Sequence, residues 1–136
     1  MTPTRDCPPC LEPPPALLLE GIAQFNRGEF FEQHETLETL WRAERREVRR
    51  LYQGILQVGV AFHHLGRLNH HGTVSMLRRG STHLRQLPPV CQGVNVAALL
   101  AAADRALTEV ERLGPEGLGG FDWRLAPRVE LVGRRE

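Results

Sequence analysis

Lysine is missing altogether, and all seventeen basic residues are arginine. That excludes Schiff-base chemistry, a phosphate-loop lysine and a lysine general base. Serine is nearly missing too, at Ser75 and Ser81 only, and neither lies in a nucleophile-elbow context. No apolar run approaches the ~20 residues of a membrane-spanning helix. The proline-rich start also lacks the apolar centre of a signal peptide. Charge of one sign is not in excess. Seventeen bases stand against sixteen acids, a net charge of +1, so no global field draws the chain to nucleic acid or an anionic membrane. Cysteine is scarce and odd in number: Cys7, Cys10 and Cys91. Cys7-Pro8-Pro9-Cys10 has the spacing of redox and zinc motifs, but no strand precedes it, so it reads as part of a loose tail. A cytoplasmic location with reduced thiols is the expectation.

What is present is helix. At 136 residues, 41% hydrophobic and 24% charged, the chain suits a single domain able to bury a core. Residues 1–13 read as a flexible arm because proline at positions 3, 8, 9 and 13 forbids regular structure. Residues 14–114 read as the helical domain, and residues 115–136 as an extended tail on or trailing from it. The expected fold is all-α, a compact bundle of about five helices.

The first helix starts at Pro14 or Pro15, buries Leu18, Ile22 and Phe25, and stops at Gly28. The second, over residues 29–41, is the stretch around which the chain is organised. At about 100° per residue, Phe30, His34, Leu37, Leu40 and Trp41 share an arc that should face the core. Glu38 lies one turn after His34, within reach as an i, i+4 pair. A charged break near residues 42–50 then turns the chain into a central, apolar third helix. Gly54 and Gly59 within it invite a neighbour onto bare backbone, and Gln53, Gln57 and His64 form a polar seam. In an antiparallel hairpin His34 stands level with Leu56-Gln57, while His64 lies about 10 Å further along. Asn69 caps a fourth helix with a Val74, Leu77, Ser81, Leu84 and Leu87 stripe. Asn95 caps a fifth that runs from Val96 to Gly114-Pro115. Phe121, Trp123, Leu125 and Val129 alternate as an extended segment would.

Three functional readings arise from these residues. In the first, His34, Glu38 and Gln57 form a buried polar network in a non-enzymatic helical module, a homo-oligomer with no bound cofactor. In the second, His34, Glu35 and Glu38 hold a divalent transition metal, with Gln53 or Gln57 orienting water in a hydrolytic site. His-Glu-x-x-Glu lacks the second histidine of the zinc-protease motif, so other ligands would be required. In the third, Arg42, Arg45, Arg46, Arg49, Arg78 and Arg79 contact nucleic acid. Interspersed Glu44 and Glu47 and the neutral total argue against it. His63, His64, His70 and His71 are dense enough to bind metal casually.

Three stretches carry a family resemblance. They are Phe25-Asn26-x-Gly28-Glu29-Phe30-Phe31-Glu32-x-His34-Glu35-x-Leu37-Glu38-x-Leu40-Trp41, Leu51-Tyr52-Gln53-Gly54-Ile55-Leu56-Gln57, and Leu65-Gly66-Arg67-Leu68-Asn69-His70-His71-Gly72. Joined, the pattern resembles the all-helical prokaryotic family called domain of unknown function three hundred and nine, over roughly residues 16–113. The resemblance implies a small multihelical domain in which a His-Glu…Glu…Trp helix faces a glutamine-bearing one. Its motif residues fall here on His34, Glu35, Glu38, Trp41, Gln53, Gln57, Asn69 and Gly72. It implies no activity, and the Cys-Pro-Pro-Cys leader lies outside it.

Overall fold

A computed structural model describes residues 7–133. Five helices account for most of it: α1 (Ala16–Asn26), α2 (Phe30–Ala43), α3 (Arg49–Gly66), α4 (His70–Leu84) and α5 (Val96–Gly117). They pack in chain order, α1 on α2, α2 on α3, α3 on α4 and α4 on α5. Short connections make sequential helices neighbours. A two-stranded antiparallel hairpin, β1 (Val90–Cys91) and β2 (Val94–Asn95), lies between α4 and α5. Its turn residues Gln92 and Gly93 take φ of 47° and 80°, the left-handed pair that a two-residue hairpin requires. The fold is predominantly all-α, and among the described residues no helix is long and apolar enough to cross a membrane.

Local chemistry sets the helix ends. Gly28, at φ 80°, closes the α1–α2 turn. The Asn69 side chain accepts from the Gly72 backbone N–H and that of Asn95 from Ala98, each at 2.9 Å, capping α4 and α5. Gly114 leaves helical geometry at φ 71°, just before Pro115. Helix α3 is the hub, with Leu51, Tyr52, Ile55, Val58, Ala61, Phe62 and Leu65 all buried. Its glycines admit neighbours as expected. A Cβ on Gly54 would lie 2.7 Å from Leu84, and one on Gly59 would lie 2.3 Å from the Gln33 amide.

Three expectations are corrected. The buried face of α2 is Gln33 and Leu37; His34 is only half-buried and Leu40 and Trp41 are partly covered. The inner face takes Gln33 in place of His34 because Gly59 opens a slot on α3 for the Gln33 amide. The part of the arm within the described residues is not loose. Pro8–Leu11 form a 3-10 turn, Cys7 and Cys10 are buried, and Cys10 is bonded to Cys91; residues 1–6 of the expected arm lie outside the described residues. The tail is not evenly extended. It makes 3-10 turns at Leu118–Gly120 and Trp123–Leu125, burying Phe121 and Val129 but exposing Trp123 and Leu125. Its last residues, 134–136, also lie outside the described residues.

Candidate functional site

The α2–α3 hairpin sets the register of the polar residues singled out by sequence. Gln33 donates to the backbone carbonyls of Leu56 at 3.1 Å and Phe30 at 3.2 Å. This puts residue 33 level with residues 56–59, close to the register expected for the hairpin. Gln33 is completely buried, and its own Oε1 finds no partner among the described residues.

His34, Glu38 and Trp41 fall on the half-buried flank of α2, while Glu35 is exposed. Glu38 pairs with Arg42 at 3.3 Å on the solvent side, and no hydrogen bond joins it to His34 among the described residues. Gln53 and Gln57 are half-buried on α3. Here Gln57 Oε1 and Trp41 Nε1 are enclosed without a hydrogen-bond partner among the described residues. The Arg49 guanidinium stacks 4.8 Å over the Trp41 ring, and its Nε is likewise orphaned. Asn69 and Gly72 belong to the α4 cap rather than to this strip. The ligand atoms of His34, Glu35 and Glu38 do not converge. Among the described residues the convergent group is Cys7, Cys10 and Cys91, with sulfurs within 4.8 Å of one another.

A larger concavity lies at the other end of α2. The end of α1, the start of α2, the end of α3 and the tail enclose a groove of about 790 Å³. Asn26 builds its wall. Its amide donates to the Val129 carbonyl and accepts from the Val129 N–H, both at 2.9 Å, clamping the tail against α1. The hairpin holds the same segment through Asn95 N–H to Glu130 O at 2.9 Å and Val132 N–H to Gly93 O at 2.7 Å. Phe30, Phe62 and Trp123 form an aromatic side, with Phe62 and Trp123 ring centres 5.9 Å apart. Arg27, Arg67, Arg124 and Arg128 ring the opening.

The charge is uneven. Arg27 is matched by Glu29 at 3.0 Å and Arg124 by Asp122 at 2.9 Å. These hydrogen bonds hold both carboxyls below their ordinary range. Arg67 and Arg128 have no carboxylate at ion-pair distance among the described residues, leaving two unmatched positive charges. Burial first, and then His63 and Arg67, hold His64 below the ordinary histidine pKa. Such a groove offers rings for stacking and guanidinium forks for an anion. Sequence reasoning did not single it out as a site, since Trp123, Arg124 and Arg128 sit in a tail whose alternation read only as an extended segment. The available signal was Phe25-Asn26-x-Gly28, a polar side chain set between a core aromatic and a helix stop.

Comparison with known proteins comes to the same central segment. The family described as Domain of unknown function (DUF309) matches residues 18–76. That span contains the α1, α2 and α3 walls of the groove and the whole α2–α3 strip. The chain is also 24% identical over 103 residues to an "Uncharacterized protein" of Aquifex aeolicus (strain VF5). The alignment covers 75% of this chain and 31% of that relative, so the chain spans under a third of the relative's length.

Proposed function

We propose that the chain, whose residues 18–76 match the family described as Domain of unknown function (DUF309), is a helical binding module. Its ligand is a small anion bearing a planar ring, held in the groove closed by the tail. The supporting observation is the conjunction of exposed Trp123 with unmatched Arg67 and Arg128 around one cavity of about 790 Å³. The ring would stack on Trp123, and the anion would bridge the two arginines. Calorimetric titration with 1-naphthyl phosphate tests this. Saturable binding is expected for that compound, with inorganic phosphate and 1-naphthol each far weaker, and with the affinity lost in Arg67→Ala and Trp123→Ala. Binding in both variants as tight as in the wild type would overturn the assignment.

A second copy of the chain is part of the proposal, because His34, Glu38, Trp41 and Gln57 are only half-buried and leave a polar strip on α2 and α3 for it to cover. Covering that strip would complete the His34–Glu38–Gln57 network between subunits. Light scattering on the purified chain would show a dimer that Trp41→Ala separates, and a monomeric wild type would refute it. The competing assignment, a metal on His34, Glu35 and Glu38, would require Glu38 to leave Arg42 and the three side chains to draw together, and it would show as metal lost on His34→Ala. The cytoplasm is the compartment this reading assumes, and cell fractionation would check it.

A further inference from the structure

The three cysteines come from two separate segments and meet at one buried point. Cys7 caps the start of the 3-10 turn and Cys10 lies within it, with Cys10 N–H bonded to Cys7 O at 2.8 Å. Cys91 closes β1, opposite Val94. All three are buried, and their sulfurs lie within 4.8 Å of one another. Bonds that involve no sulfur hold the segments together. Gln92 N–H donates to Cys10 O at 2.7 Å, the Gln92 amide donates to Pro9 O at 3.2 Å, and Tyr52 Oη donates to Gln92 Oε1 at 2.7 Å. The cluster therefore keeps its position when the Cys10–Cys91 bond is opened.

We infer that the reduced chain binds one zinc ion through Cys7, Cys10 and Cys91, with water as fourth ligand. Tetrahedral zinc at about 2.3 Å from each thiolate sets its sulfurs about 3.8 Å apart, inside the spread seen here. Rotation of the Cys10 and Cys91 side chains supplies the separation. Three thiolates packed together in the interior repel one another, so the reduced state needs protons or a thiophilic cation. The opening step consumes one dithiol. Its two electrons break the S–S bond, its two protons go to Cys10 and Cys91, and it leaves as a cyclic disulfide. Zinc then displaces one proton from each of three thiols as three Zn–S bonds form. In the oxidised chain only the Cys7 sulfur lies outside the bridge, and the ion has no site. Metal occupancy thus follows the redox state of the surroundings.

The test uses the full chain, opened with a dithiol and desalted without oxygen, with cobalt(II) as spectroscopic probe. One equivalent of cobalt should give a sulfur-to-metal charge-transfer band that one equivalent of zinc(II) bleaches, and the unreduced chain should give none. Cys7→Ser retains the bridging pair, so its oxidised form folds, as far-UV dichroism would verify. Its reduced form should lose affinity by at least roughly 10–100-fold, the loss that even an outer-shell change brings to a metal site. No charge-transfer band from reduced, helical protein would overturn the proposal. So would a band unchanged by Cys7→Ser, or cobalt held without such a band, which is the signature of chelation at His63, His64, His70 and His71.

Discussion

Tyr52 shows how much a single buried hydroxyl can report. It is fully buried on α3, donates to Gln92, and is the one tyrosine in the chain. Burial pushes its pKa up to about 12, partly opposed by the hydrogen bond to Gln92. The ordinary value is about 10, so the unfolded chain releases this proton first. The stabilisation is complete below about pH 10 and is lost as pH rises towards 12. Phenolate absorbance of the native protein should therefore titrate near 12, moving to about 10 in denaturant. The urea midpoint should fall across the same interval, and Tyr52→Phe should remove that part of the fall. Tyr52→Phe should also cost about 1–3 kcal/mol at neutral pH, because Gln92 Oε1 is left enclosed without its donor. A native titration near 10 would show that this ring is wet.

At the scale of elements, α2 and α3 lock through one amide and one missing side chain. Most of the helix pattern was legible in the sequence because it rests on local chemistry. Gly28 stops α1, Asn69 and Asn95 cap their helices, and Gly54 meets Leu84. The phase of α2 was not legible. Periodicity scores glutamine as polar and histidine as ambivalent, so it favours His34 on the inner arc. The choice of Gln33 depends on Gly59, which lies 26 positions later and supplies the space. Gly59→Ala places a methyl 2.3 Å from Gln33 Nε2 in a side chain with no exposed route out. It should cost about 1–3 kcal/mol by urea denaturation. Gln33→Ala removes the obstruction, so the double variant should be less destabilised than the sum of the singles. Strict additivity would place the two residues out of contact and return His34 to the inner face.

For the whole molecule, the bridge between Cys10 and Cys91 joins positions 81 residues apart and encloses α1 to α4 in one loop. No spacing rule finds such a pair, and the prolines around Cys7 and Cys10 mimic the composition of a disordered arm. The groove was hidden for a related reason. Its far wall is the tail, held by Asn26 to Val129 across 103 residues. Both features are long-range closures made by segments without helical periodicity, whereas the elements they close are helices that carry it. Closing a loop of this size restricts the unfolded chain, a stabilisation of typically about 2–4 kcal/mol. The folded contacts of the Pro8–Leu11 turn do not depend on sulfur, since Gln92 and Tyr52 secure it through hydrogen bonds. Dithiol reduction should therefore lower the urea midpoint by an amount equivalent to about 2–4 kcal/mol while leaving the far-UV helix signal intact without denaturant. Loss of the helix signal on reduction would mean that the bridge builds the fold rather than bracing it. An unchanged midpoint would mean that the unfolded chain gains no freedom when Cys10 and Cys91 part.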